Sequence, residues 1–407
     1  MRRRVVTLAA AAVAAAFAPA AAAPTPAAPP PALWRQLSRT LTVPQVSRRQ
    51  TAAIAVDLAS GRILFQHNQT RPLAPASNEK LAVTYTALAT FGPGYRVRTQ
   101  VLGSGVLDRT TWRGNLLLKG YGDPTLTRPR LRSLSRRVKA LGIRHVTGRV
   151  LADESFFDRR RTAPGWKPSF YLSECPALSA LVVDRGVTGS VLTRAPALTA
   201  AGAFTRMLRA AGVSVAGKAA LGVAPEGATQ LATTLSPPLW KVVRFMDRES
   251  DNFTAEMLLK QLGGFFGSGG STPAGAAVVT RTLAAAGVPL AGVRIVDGSG
   301  LSLLDRSTAH ALAGILEAAW AAPEIRRAFV GALAVAGVYG TLRERMTRPP
   351  TKGNVIGKTG TTTRSSALSG YVNRRFVFSV VNNGYPIASW WAQRAQDRFA
   401  TRLARIK

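Results

Sequence analysis

The chain has 407 residues, 46% of them hydrophobic, and a formal net charge of +34. That length exceeds what one hydrophobic core usually organises, so two or more domains are expected. The charge, carried mostly by Arg, suits polyanionic partners such as nucleic acid, anionic lipid or an acidic cell-wall polymer. No finger, helicase or RNA-binding signature accompanies it, so nucleic acid is not the expected partner.

Arg2, Arg3 and Arg4 precede an apolar run from Val5 to Phe17, and small residues follow up to Ala23. This is the pattern of a cleaved secretory signal, which places the mature protein outside the cytoplasm. Residues 24–34 are rich in Pro and Ala and read as an exposed linker. The lone cysteine, Cys175, has no internal disulfide partner and reads as a small buried hydrophobe.

Thr51 to Leu58 and the run ILFQHN read as two strands of a hairpin. A helix is expected from about Ser77 to Ala89, with Ser77 as its cap. From 95 to 235 short apolar runs alternate with Gly and Pro, which suggests an inserted, strand-rich α+β region with two small helices. From 236 onward helical periodicity returns. LWKVVRFMDRESDNFTAEMLLKQLG reads as a helix, a polar break and a second helix, and two more helices follow. Three strand-like runs, NVIGKTGT, SSALSGYVN and RFVFSVVNN, precede a basic amphipathic C-terminal helix. That helix could touch a membrane, but packing its apolar stripe on the preceding sheet is the better reading. Residues 35–94 and 236–407 would then form one domain, a sheet with helices on its faces, interrupted by residues 95–235.

Three short motifs carry chemistry. Ser77 and Lys80 stand at i and i+3, on one helix face. Ser250-Asp251-Asn252 sits at a helix-to-helix break. Lys358-Thr359-Gly360 sits in a strand-like run near the end. Each alone is weak. Together, in this order and on these elements, they form the serine acyl-transfer set of penicillin-binding proteins and β-lactamases. A hydroxyl needs a base to become a nucleophile. Lys can serve when its pKa is lowered, whereas Arg stays charged, so Lys at 80 and 358 is informative in an Arg-rich chain. Lys358 would supply positive field and attract a substrate carboxylate. Gly360 on an edge strand would let a substrate backbone approach closely. The N–H groups of Ser77 and Thr361 could form an oxyanion hole. Ser250 could relay a proton to the leaving amine, and Asn252 could hold the acyl amide. His67, His145 and His310 are scattered and read as structural. No metal-ligand cluster and no cofactor motif is present.

The chain resembles the class C low-molecular-weight penicillin-binding proteins, the D-alanyl-D-alanine carboxypeptidase/endopeptidases. The resemblance spans most of the chain through APASNEKL, FGPGYRVRTQV, LLLKGYGDPTL, MDRESDNFTAEMLL, VDGSGLSLLDRST and GKTGTTTRSSALSGYV. It implies a penicillin-recognising serine transpeptidase fold of α/β and α+β parts, β-lactamase-like, with inserted β-rich structure. It also implies peptidoglycan stem peptides as substrates, β-lactams as covalent inhibitors, and a periplasmic or cell-wall location. The insertion looks shorter than in long members of that family, so one accessory domain is expected to be reduced or missing. Two alternatives stay open: a β-lactamase or esterase on the same fold, and a non-catalytic wall-binding protein.

Overall fold

The computed structural model describes residues 31–406. The expected signal segment and the linker up to residue 30 lie outside the described residues. The rest of the linker differs from expectation, because helix α1 (Pro31–Thr40) starts inside it. Proline suits a first helical turn, where its N–H would have no partner. Leu37 is buried against the sheet, and Trp34 meets Phe65 with ring centroids 5.6 Å apart. Packing thus turns part of a Pro/Ala-rich stretch into a helix.

Strands β1 (Thr51–Asp57) and β2 (Ile63–His67) form the expected hairpin. A single 3-10 turn, Ala76–Glu79, runs into α2 (Lys80–Phe91). Next come β3 (Arg98–Asp108), β4 (Thr111–Gly120), α3 (Arg128–Ala140), β5 (His145–Val146) and β6 (Val150–Asp153). They are followed by β7 (Val187–Thr188), β8 (Val191–Leu192), α4 (Pro196–Ala210), β9 (Ser214–Val215), β10 (Ala220–Leu221) and β11 (Thr229–Leu235). The helices α5 (Leu239–Arg248), α6 (Asn252–Phe266), α7 (Thr272–Ala285), α8 (Ala309–Ala321) and α9 (Pro323–Ala332) come next. The chain ends with β12 (Ala334–Val335), β13 (Val355–Thr361), β14 (Ser365–Val372), β15 (Phe376–Asn383) and α10 (Ser389–Ala404).

The first sheet has the order β12-β13-β14-β15-β1-β2, so the two ends of the chain share one sheet. Its neighbours are all antiparallel, and Ala53 lies opposite Val380 where the ends meet. Ala52, Ile54 and Val56 face a core with α2, α6 and α8, whereas Ala53 and Ala55 face a core with α1 and α10. A strand covered on both faces reads as an unbroken apolar run, which is why TAAIAV shows no polar alternation. The second sheet, β10-β6-β4-β3-β11 with β5 on β4 and β9 on β5, is built from residues between 98 and 235.

The stripe Ala392, Ala395, Phe399, Ala400 and Leu403 of α10 is buried. Phe399 touches Phe65 and Phe378 at centroid distances of 5.5 and 6.3 Å. A side chain of this size contributes about 1.5–3 kcal/mol when fully buried, so the helix is committed to the sheet through its apolar face. Among the described residues no helix is long and apolar enough to cross a membrane. His67 lies 3.0 Å from the Arg48 carbonyl, and His145 lies 2.8 Å from the Ser214 hydroxyl. His310 follows the N-cap Thr308 of α8. Cys175 is buried beside Phe253 and Met257, and burial raises its thiol pKa.

Candidate active site

The nucleophile candidate sits on a strained turn. Pro75 is in the right-handed region, and Ala76 follows with φ +48°, unusual for a residue with a side chain. Neighbours hold this backbone in place. Asn383 accepts a hydrogen bond from the Ala74 N–H at 2.8 Å. The Ala74 carbonyl accepts from the Ser365 hydroxyl at 2.6 Å and from the Asn383 amide at 3.0 Å. The expected cap role of Ser77 is not what forms. Ser77 lies inside the 3-10 turn, and neither residue at the N-cap positions, Pro75 nor Glu79, makes a side-chain cap bond. The Ser77 hydroxyl instead accepts from Lys80 Nζ at 3.0 Å.

Two glycines press on this turn from opposite elements. At Gly300 φ is +82°, and a Cβ there would lie 2.0 Å from the Ala76 carbonyl oxygen. At Gly360 a Cβ would lie 2.9 Å from the Ser77 nitrogen and 3.0 Å from Asn78 Nδ2. The close approach that requires glycine at 360 is therefore by the nucleophile turn.

Lys80 is fully buried. Its Nζ donates to Ser77 Oγ, to Asn252 Oδ1 at 2.8 Å and to the Ser299 carbonyl at 2.6 Å, which uses all three ammonium protons. Burial lowers its pKa; the carboxylates of Asp297, Asp251, Glu256 and Asp247 oppose the shift. Lys358, also fully buried, donates to the Ser250 hydroxyl and to the Thr359 carbonyl, both at 2.8 Å. Burial brings its pKa down to about 7, with the charge of Lys80 adding to the shift and Asp247 opposing it.

Ser250 lies between α5 and α6 with φ +57°, a left-handed conformation that turns its hydroxyl to Lys358. Asp251 caps α6 by accepting from the Thr254 N–H at 2.8 Å, and it pairs with Arg185 at 2.5 Å. Within this triplet Asp251 caps the helix, while Ser250 and Asn252 contact Lys358 and Lys80. Asn252 Nδ2 donates to the Glu174 carbonyl at 3.1 Å.

β12 pairs only with Ile356 and Gly357, so β13 presents an open edge from Lys358 to Thr361. The Thr362 N–H donates to Ser365 on β14. N–H directions alternate along a strand, so the Thr361 N–H points to the open edge. Thr359 Oγ1 donates to Thr341 at 2.7 Å.

Reasoning from sequence missed a layer behind the lysines. Asp247, three residues before Ser250, is buried and accepts from Thr84 at 2.7 Å. Burial raises its pKa to about 7, and Lys358, the Thr84 hydrogen bond and Lys80 oppose the rise. Thr84 continues the Ser77 and Lys80 face of α2 at i+7, the signal that could have pointed there. Glu256 accepts from the N–H groups of Gly298 and Ser299 at 3.0 and 2.8 Å, holding the carbonyl that receives Lys80. Burial, with Asp297 adding, brings the Glu256 pKa up to about 8. Asp297 accepts from the N–H groups of Gly300 and Ser302 and from the indole of Trp166, at 2.7, 2.8 and 2.7 Å. Nothing local marked Trp166, because its partner is 131 positions away. Among the described residues no group of His, Cys and carboxylates is arranged to hold a metal.

A serine on a 3-10 turn, a buried lysine at the start of the following helix, an Asn bonded to that lysine and a second lysine on a strand edge are the parts of a serine acyl-transfer site of the penicillin-recognising class. The chain matches the D-Ala-D-Ala carboxypeptidase 3 (S13) family over residues 33–194 and 185–406, and it belongs to that family. It is 30% identical to a D-alanyl-D-alanine carboxypeptidase of Actinomadura sp. strain R39, over 91% of this chain and 84% of that protein. It is also 30% identical to carboxypeptidase DacB of Mycolicibacterium smegmatis, over 80% of this chain and 75% of that one. Its fold is similar to that of penicillin binding protein 4 (dacB) from Haemophilus influenzae. The TM-score is 0.80 at 22% identity, covering 91% of this chain and 98% of that one.

Proposed function

We propose that this protein is an exported serine D-alanyl-D-alanine carboxypeptidase that forms an acyl-enzyme on Ser77. The observation that carries the reading is the 3.0 Å contact between Ser77 Oγ and a buried lysine whose amine is biased toward neutrality. Neutral Lys80 takes the hydroxyl proton, and Oγ attacks the carbonyl carbon of the penultimate D-Ala. The N–H groups of Ser77 and Thr361 stabilise the oxyanion. As the C–N bond breaks, Ser250 passes a proton to the departing amine and is reprotonated at the expense of the Lys80 ammonium, so D-Ala leaves and Lys80 is neutral again. Water then hydrolyses the ester with Lys80 again as base. Asn252 binds the acyl amide carbonyl through Nδ2, which the Glu174 carbonyl occupies at rest. Lys358, with Thr359 and Gly360 beside it, receives the terminal carboxylate. We take residues 35–94 and 236–406 as the catalytic domain and 95–235 as its insertion, with peptidoglycan stem peptides as substrate and the periplasm or wall space as location. The same chemistry on a D-amino-acid cross-link would be endopeptidase activity.

The test uses the mature protein, a labelled penicillin and a stem peptide ending in D-Ala-D-Ala. A lasting covalent adduct and D-Ala release are expected. An adduct that vanishes while penicillin is consumed indicates a β-lactamase. No adduct and no D-Ala release, with retained wall binding, leaves a non-catalytic wall protein.

Two further outcomes follow from the geometry. Gly360→Ala is expected to slow penicillin acylation by about 100-fold, because an added Cβ displaces the Ser77 turn and small misplacements are costly. Stopped-flow adduct formation, with a thermal melt as control, measures this. Lys358 is charged below its pKa of about 7 and loses that charge above it. The kcat/KM for a free-carboxylate peptide should therefore fall about tenfold per pH unit above that point. A substrate lacking the terminal carboxylate should not show this fall. Equal pH profiles for both substrates would remove Lys358 from carboxylate capture.

A further inference from the structure

On the face of the first sheet opposite α2, helices α1 and α10 border a groove of about 610 Å³. Arg39, Arg394, Arg398, Arg402 and Arg405 line it. Asp397 is the acid in the lining, and it is already held by Arg345 at 2.7 and 3.1 Å. Among the described residues none of the five lining guanidiniums has an ion pair or a protein hydrogen bond, and Arg402 Nε is buried without a partner. Arg394 lies over the Trp390 ring at 4.6 Å, which leaves its N–H edge available.

This arrangement costs the free protein stability. Like charges at i and i+4 repel by about 0.2–0.5 kcal/mol per pair, and Arg394, Arg398 and Arg402 repeat that spacing. A helix rises about 1.5 Å per residue, so these charges stand about 6 Å apart and the row reaches Arg405 after about 16 Å. A compact anion would neutralise only part of such a row. An extended anion with charges repeating at several-ångström intervals would neutralise all of it. Guanidinium forks also suit phosphate oxygens, which they bind in pairs.

We propose that the groove between α1 and α10 binds a flexible phosphodiester polymer, holding the enzyme on an anionic wall component while Ser77 faces the other way. The groove favours a chain over a bilayer. The apolar stripe of α10 is spent on the sheet, and Trp390 is its one strongly exposed large apolar side chain. An interfacial helix needs a whole apolar face free.

The experiment titrates fluorescent glycerol-phosphate oligomers of defined length into the mature protein at several salt concentrations. It compares wild type with Arg394→Gln/Arg398→Gln/Arg405→Gln. A control triple, Arg132→Gln/Arg136→Gln/Arg149→Gln, removes the same charge from exposed positions between residues 95 and 235. The groove triple is expected to weaken binding at least about tenfold and to lower the log–log salt slope by about 2, at roughly 0.7 per phosphate contact. The control triple should change both far less. Penicillin acylation of Ser77 should be equal in all three proteins, which separates this result from any failure of the catalytic reading. Equal losses in both triples would reduce the effect to overall charge and overturn the proposal. So would binding to phosphatidylglycerol vesicles without binding to the oligomer, or inorganic phosphate competing as well as the oligomer.

Discussion

Ser77→Ala is expected to leave a folded protein that forms no adduct with a labelled penicillin and releases D-Ala at least about 10,000-fold more slowly. Among the described residues the Oγ makes one hydrogen bond, to Lys80, so removing it unties little of the structure. The strained turn keeps its other ties, to Asn383, Ser365 and the two close glycines. Melting should shift by no more than about 1 kcal/mol of stability. Intact mass with the penicillin, and chromatography of released D-Ala, read the outcome. An adduct that persists on the alanine variant would place the nucleophile elsewhere.

Lys80→Met should fail almost as completely, although Ser77 is untouched. Methionine keeps the volume and the apolar stem but removes the amine. The expected drop in acylation rate is again at least about 10,000-fold, since removing the base of a nucleophile–base pair can cost up to about a million-fold. Lys80→Arg should not rescue it, because a guanidinium does not give up its proton near neutral pH. The methionine variant also leaves the Ser299 carbonyl and Asn252 Oδ1 without their donor. Some loss of stability is therefore expected, about 1–3 kcal/mol for each buried acceptor left alone. Burial already biases Glu79 and Glu256 toward the neutral acid, which limits the charge left unbalanced in the core. Adduct formation measured below the melting temperature of the variant separates the two effects. Acylation near the wild-type rate would exclude Lys80 as the base.

Both variants rest on residues that could be read from the sequence, because Ser77 and Lys80 are three positions apart within one local helical segment. The strands were legible for a similar reason. TAAIAVD, SSALSGYV and FVFSVVNN are apolar runs of strand length, and their burial on both faces follows from that composition. The 236–266 stretch likewise announced two helices with a polar break. Short or context-made elements were not legible. α9 is not legible because the 10 residues PEIRRAFVGA carry too few turns for a clear period. The start of α1 reads as linker in the sequence because only its contact with Phe65 and the sheet rewards the helix.

The sequence by itself determined the motif residues and the order of most elements, since each depends on residue type or on spacing within one segment. Only the tertiary structure decided what those groups meet. It brought Ser299 to Lys80 across 219 positions and Ser250 to Lys358 across 108. It set Gly360 against the Ser77 turn, and it buried Asp247, Glu256 and Asp297 behind the lysines. The reason is physical. The pKa of a buried amine depends on the dielectric and charges around it, and those are supplied by segments far away in the chain.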